Sequence, residues 1–73
     1  MNHTNQNSDN IKLTKREIEV VKLLIEGFEN EEIADKINIS THTVKAHISG
    51  IMKKLDAKNR TEAACKALKL QLL

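Results

Sequence analysis

The sequence contains few of the residues from which β-sheet and disulfide-stabilised domains are built. Its 73 residues include one Phe, no Trp or Tyr, no Pro, two Gly and one Cys. β-Sandwiches and barrels need aromatic and β-branched strands interrupted by turn residues, so this composition argues against them. Cys65 cannot form an intramolecular disulfide and is interpreted as a small packing residue. A single all-α domain remains.

Long apolar runs and groups of metal ligands are also missing. No stretch approaches the roughly 18 apolar residues that span a bilayer, and the N-terminus lacks the pattern of a signal peptide. We therefore expect a cytoplasmic protein without membrane contact. His42 and His47 lie about 140° apart on a helix, which does not suit a metal site. Since no nucleophile–base set or phosphate-binding glycine loop can be assembled, neither an enzyme nor a cofactor is predicted.

Charge is divided unevenly along the chain, although the net charge is only +2. Residues 11–35 carry four basic and seven acidic side chains, whereas residues 36–60 carry six basic side chains and one acidic. A basic half of this kind is typical of a surface that meets nucleic acid, and a solvated basic face is the plainer alternative.

The first half of the chain predicts a polar tail and two helices. Residues 1–11 have little to bury and are expected to be disordered, so the domain is predicted to span residues 12–73. Thr14 and Glu17 form a capping-box pattern that begins the first helix, and Gly27 is placed to end it. Asn30 is predicted to cap a short second helix.

The segment from Ile33 to Leu55 predicts a short helix, a tight turn and a longer helix with two opposed faces. Ser40 is placed to cap the longer helix, which is predicted to run from Thr41 to Leu55. Its apolar residues Val44, Ile48, Ile51 and Leu55 fall on one arc of about 60°. These residues are expected to pack against Ile18, Val21, Leu24, Ile33 and Ile37. The opposite arc carries His42, Lys45, Ala46, Ser49 and Lys53.

A fourth helix is predicted after a pair resembling a capping box, Asn59 and Glu62. Its apolar residues form two rows, more than one core contact can use. One row comprises Ala63, Ala67 and Leu70. The other comprises Ala64, Cys65, Leu68 and Leu72, and is free to face another molecule.

With these motifs in place, the chain resembles the DNA-binding domain of the LuxR/FixJ/NarL class of bacterial transcription regulators. Four runs in the right order carry the resemblance: LTKREIEVVKLLIEG at 13–27, NEEIADKINIS at 30–40, TVKAHISGIMKKL at 43–55 and NRTEAA at 59–64. In size and layout the chain is similar to the small stand-alone GerE-type members. Either the whole protein is this small, or the chain is the output domain of a larger one.

The resemblance implies a four-helix helix-turn-helix domain that binds double-stranded DNA, with RNA polymerase as a further candidate partner. The helix at residues 41–55 would enter the major groove, and the last helix would form a homodimer that reads inverted half-sites. The base-contacting positions of the class correspond to Lys45, Ala46 and Ser49. Flanking candidates for phosphate contact are Thr43, His47, Lys53 and Lys54. The second row of the last helix would form the dimer.

Two departures and two alternatives accompany this interpretation. Ser49 stands where some members have Lys. Gln71 replaces a glycine common near the end of the last helix, so that helix is expected to run on or fray. The LTxRE and TVK runs also occur in sigma-factor region 4, although that fold needs no dimerising helix. A protein-interaction module built on the same scaffold is the second alternative.

Overall fold

The computed structural model describes residues 11–72 and consists there of four helices without a strand. They are α1 (Lys15–Ile25), α2 (Asn30–Ile37), α3 (Thr41–Leu55) and α4 (Arg60–Lys69). The predicted all-α fold with four helices is therefore confirmed. The expected tail lies outside the described residues except for Ile11, which is half-buried against the core. Within the described part, no helix has the length and apolar character required to cross a bilayer.

Side chains cap the starts of α1 and α4 as the sequence predicts. The Thr14 hydroxyl accepts from the Glu17 backbone N–H at 3.1 Å, and the Glu17 carboxylate accepts from the Thr14 N–H at 2.9 Å. This is a complete capping box, and it satisfies two N–H groups that the helix itself cannot pair. At the start of α4, Asn59 Oδ1 accepts from the Glu62 N–H at 2.8 Å, but the Glu62 carboxylate accepts from the Lys58 N–H and not from that of Asn59.

The predicted cap of α2 is wrong by one residue. Asn30 is the first residue of the helix, and Glu29 is its N-cap. The Glu29 N–H donates to Glu32 Oε1 at 2.8 Å. The Asn30 side chain is used elsewhere, because its Oδ1 accepts from Arg60 Nη1 at 2.7 Å. That partner is 30 positions away, so local pattern rules could not anticipate it.

All four helices end in the same way, on a residue with left-handed backbone. These residues are Gly27 (φ 91), Asn38 (φ 58), Asp56 (φ 53) and Gln71 (φ 56). The N–H of the next residue then donates to a carbonyl five positions back, as Leu72 does to Ala67 at 3.0 Å. Of the two outcomes expected for the last helix, running on is wrong, because Gln71 adopts the turn for which glycine is favoured and α4 stops at Lys69.

The inner face of α3 forms the centre of the core, and this prediction is confirmed. Its four predicted core residues are all buried, and Val44 and Ile51 are completely so. The other buried apolar residues are Val20, Val21, Ile33, Ala34, Ala63 and Ala67. Each fully buried branched side chain contributes about 1.5–3 kcal/mol.

The buried face of α1 is rotated relative to the prediction. Val20 is fully buried, whereas Ile18 is only half-buried and lies outside the core cluster. Ile25 is exposed. Glu17 lies on the same buried face as Val20 and Val21, and its carboxylate meets Lys54 of α3.

Polar contacts attach α4 to the rest of the domain. Arg60 donates from Nη1 to the Asn30 side chain and from Nη2 to the Phe28 carbonyl at 3.1 Å, which ties α4 to the turn between α1 and α2. Lys66 donates to the Leu55 and Asp56 carbonyls at 3.2 and 2.7 Å. Those carbonyls are at the end of α3, where a cation is favourable.

Candidate nucleic-acid interface

A three-residue turn sets α3 against α2. Asn38 takes the left-handed conformation, and the Ile39 N–H donates to the Ala34 carbonyl at 3.0 Å. Ser40 then caps α3, because its hydroxyl accepts from the Thr43 N–H at 3.0 Å. Asparagine tolerates positive φ better than most residues. The turn is therefore well defined by its sequence, and α3 begins where predicted.

The three predicted base-contacting residues lie side by side on the outer face of α3. Lys45, Ala46 and Ser49 are all exposed. Within residues 11–72, none of their side chains takes part in a hydrogen bond or ion pair. Because the opposite face of α3 is fixed in the core, this face is presented rigidly to its surroundings.

The flanking candidates for phosphate contact differ in solvent exposure and in the hydrogen bonds that they already form. Lys53 is exposed near the end of α3, and His47 is half-buried. The Thr43 hydroxyl accepts from the Ser40 hydroxyl at 2.9 Å, so one of its acceptor positions is already occupied. Lysine and threonine are both common donors to phosphate oxygens.

Lys54 is bound within the protein instead of facing solvent freely. Its ammonium lies 2.7 Å from Glu17 Oε1 and donates to the Lys12 carbonyl at 3.0 Å. Glu17 is the buried charged residue of the described core, at 7% exposure. Burial acts to raise the pKa of its carboxyl, but hydrogen bonds from Lys54 and the Thr14 backbone together lower that pKa.

The same carboxylate lies close to the glycine inside α3. A Cβ at Gly50 would lie 3.3 Å from Glu17 Oε2, which is closer than most such contacts. Glycine in a helix costs roughly 1 kcal/mol relative to alanine. An alanine at position 50 would therefore require the Glu17 carboxylate, which is paired with Lys54, to shift by a few tenths of an ångström.

An acidic rim borders the reading face. Lys45 and Thr41 of α3 share a shallow depression with Glu29, Asn30 and Glu31 at the start of α2. Both glutamates are exposed. Acids in the first turn stabilise α2 through its dipole, and here they also place negative charge beside the candidate DNA-contacting lysine.

A second outward surface lies between α1 and α4, and we call it the α1–α4 groove. Its apolar lining is Leu24, Ile25, Ala64, Cys65 and Leu68. Ile25 and Leu68 are the exposed large hydrophobic residues of the described chain, at 38% and 54%. Three of the four predicted dimer residues thus lie together. Leu72 does not, because it follows the end of α4 and packs against the core.

The family model of bacterial regulatory proteins, luxR family, matches residues 12–67. The chain belongs to the luxR family. Members are DNA-binding transcription regulators and not enzymes. This confirms the family and the helix-turn-helix fold. Because members of the family bind DNA, the exposed face of α3 is a candidate DNA-contacting surface.

Three similar proteins are bacterial regulatory proteins. The oxygen regulatory protein NreC of Staphylococcus carnosus is 40% identical over 100% of this chain and 36% of its own length. The transcriptional regulatory protein LiaR of Bacillus subtilis is 43% identical over 88% of this chain and 31% of its own. The response regulator VraR of Staphylococcus aureus is 41% identical over 84% and 29%.

A solved structure shows the same fold. The response regulator ChrA of a heme-sensing two-component system matches with a TM-score of 0.81 and 41% identity, covering 84% of this chain and 30% of that one. The luxR-family chain described here thus spans about a third of the length of the relatives it matches.

Two features of this luxR-family domain escaped sequence reasoning. Glu17 was recognised as part of a capping box, but nothing in the sequence indicated Lys54 as its partner 37 positions away. Ile25 has helical spacing from Val21 and Phe28, which is typical of a core residue, but it lines the α1–α4 groove. The available signal for Ile25 was weak: it directly precedes the turn at which α1 ends.

Proposed function

We propose that this luxR-family domain reads a specific DNA sequence by inserting the outer face of α3 into the major groove. The observation that carries the proposal is the row formed by Lys45, Ala46 and Ser49, exposed and without internal partners on a helix whose other face is buried. A helix of this diameter fits the major groove of B-DNA.

Each of the three side chains has a distinct chemistry toward base edges. Lys45 can donate to guanine O6 and N7, and the Ala46 methyl can contact the methyl group of thymine. The Ser49 hydroxyl both donates and accepts, so it contributes contact with little base preference. Selectivity is therefore expected to depend chiefly on Lys45.

Phosphate contacts would position α3 without adding selectivity. Thr43, His47 and Lys53 keep this proposed role, since all three flank the reading row. Lys54 is left out, because moving its ammonium to a phosphate would leave the Glu17 carboxylate buried without its cation.

We further propose that two copies pair through the α1–α4 groove and read inverted half-sites about one helical turn apart. Ile25, Ala64, Cys65 and Leu68 would form the contact, with Leu68 as its most exposed member. A contact of this width is small, so DNA that brings both copies together is expected to strengthen it.

Selection of duplex DNA from a random pool, using the full chain, tests the proposal. We expect an imperfect palindrome, bound with an affinity that falls steeply as salt rises. Lys45→Ala should cost about 1–3 kcal/mol on that site and relax one position of it.

Lys22→Ala serves as the matched control, because Lys22 is an exposed lysine on α1 away from the reading face. It should leave selectivity unchanged. Equal affinity for every sequence, or unaltered selectivity in Lys45→Ala, would contradict the assignment and favour a protein-interaction module.

A further inference from the structure

A groove of about 660 Å³ lies on a third side of the domain, where the N-terminal segment meets the ends of α3 and α4. We call it the basic groove. Four lysines line it: Lys12 from the N-terminal segment, Lys54 from α3, and Lys66 and Lys69 from α4. Asp56 is its single acidic residue.

Two of the four ammonium groups are already held in place. Lys54 donates to Glu17 and to the Lys12 carbonyl, and Lys66 donates to the Leu55 and Asp56 carbonyls. Each is also paired with a carboxylate of the protein itself, Lys54 with Glu17 at 2.7 Å and Lys66 with Glu62 at 3.9 Å. Their charge is therefore largely compensated, and the net positive charge of the groove comes from the other two lysines.

The other two lysines supply charge that the fold does not use. Lys12 and Lys69 are exposed, and within residues 11–72 their ammonium groups form no hydrogen bond or ion pair. Between the lysines, the floor is apolar and consists of Ile11, Leu55 and Leu70. A phosphate backbone would gain nothing from such a floor, whereas a peptide with apolar side chains would.

The basic groove is separate from the two surfaces already assigned. On α3, Lys54 lies about 180° around the helix from Lys45. On α4, Lys66 lies about 160° from Leu68. A domain bound to DNA through α3 and to a second copy through the α1–α4 groove would therefore keep the basic groove open.

We propose that the basic groove docks an acidic segment of a partner protein, one in which Asp or Glu alternates with large apolar side chains. Its carboxylates would meet Lys12 and Lys69, whose ammonium groups have no partner within residues 11–72, and its apolar side chains would cover Ile11 and Leu70. The uncompensated lysines beside an apolar lining are complementary in both respects to this composition, whereas DNA would match only the charge and a second basic groove would be repelled.

The test is selection of displayed random peptides of about twelve residues, three turns of helix, on the full chain. We expect enrichment of peptides that combine acidic and apolar residues. In the isotope-labelled chain, the leading peptide should shift the amide resonances of Ile11, Lys12, Lys69 and Leu70. Lys69→Glu should weaken its binding at least tenfold, and Lys22→Glu, which makes the same charge change on α1, should not.

Other results would overturn the proposal. They are the absence of an acidic and apolar consensus, equal losses in Lys69→Glu and Lys22→Glu, and shifts centred on Leu68 or Lys45. Addition of the selected duplex provides a further check. If DNA alone shifts the Lys12 and Lys69 resonances and displaces the peptide, the basic groove is part of the DNA contact instead.

Discussion

α3 buries four large aliphatic side chains, whereas the fully buried residues of α4 are two alanines, Ala63 and Ala67. On the exposed faces the contrast is reversed, because that of α3 is polar and that of α4 carries an apolar side chain. That of α3 carries Lys45 and Ser49, and that of α4 carries Leu68 at 54% exposure.

The comparison shows that the two helices are held by different forces. Alanine allows close approach of α4 but gives little burial free energy, so that Arg60 and Lys66 attach this helix through hydrogen bonds. α3 is held mainly by burial, which leaves its polar face available. Because α3 is fixed by its buried face, its exposed face can carry polar groups. Because α4 buries only small side chains, it can keep an exposed apolar surface for another molecule.

The largest effect is expected where α3 depends on burial. Ile48→Ala should lower the free energy of unfolding by roughly 2–5 kcal/mol, because it leaves a cavity at a residue that is 7% exposed. Urea denaturation measures this loss. Ser49→Ala, the next position on the exposed face, should change stability by no more than about 0.5 kcal/mol. Similar losses in both variants would contradict the assignment of faces.

A smaller loss is expected at the one polar attachment of α3 to α1. Lys54→Ala should destabilise the fold by about 1–2 kcal/mol, a value reduced for the partial exposure of the lysine. Lys53→Ala is the matched control and should leave stability nearly unchanged while weakening DNA binding. If Lys54→Ala weakened DNA binding and left stability nearly unchanged, Lys54 would again be a candidate for phosphate contact.

The pH dependence of stability sharpens this test. Since the folded-state pKa of Glu17 is lowered from its ordinary value of 4.5, folding favours the ionised carboxylate. The resulting stabilisation is fully present above about pH 4.5 and is lost as the pH falls through the lower folded-state pKa. Glu17→Gln should flatten the loss of stability below that pH. If Glu17→Gln lost stability as steeply at low pH as the unsubstituted protein, Glu17 would not contribute to that loss.

The outer face of α4 is tested by placing a charge in the α1–α4 groove. Leu68→Glu should reduce cooperative binding to the full palindrome roughly tenfold, or about 1.4 kcal/mol, and leave half-site binding unchanged. Cys65, the single cysteine, offers an independent measurement. Its reaction with a thiol reagent should slow on full-site DNA and not on a half-site. If neither result is found in a folded variant, the dimer surface lies elsewhere.

The smallest effect is expected at the acidic rim of the reading face. Glu31→Gln removes negative charge beside Lys45 and should raise affinity for all duplexes by about 0.5 kcal/mol, more at low salt. Glu26→Gln, an exposed glutamate at the end of α1, should change affinity less. Equal gains from both variants would mean that only net charge matters.

Local patterns predicted most of the fold because they act within one helical turn. The capping box at Thr14 and the cap at Ser40 involve partners three residues apart, and the buried face of α3 follows from a 3.6-residue period. Failures occurred where distant side chains compete. The Asn30 side chain binds Arg60 instead of capping α2, and Gln71 adopts a left-handed turn that is followed by Leu72 packed against the core.

The sequence by itself determined the four helices, the inner face of α3 and the exposed row Lys45, Ala46 and Ser49, since all depend on short-range spacing. Only the tertiary structure decided which basic side chains are free. It bound Lys54 to Glu17 and Lys66 to the end of α3, and it brought Ile25 beside Leu68. Periodicity assigns a residue to a face of its helix, but its partner there depends on how helices distant in sequence pack together.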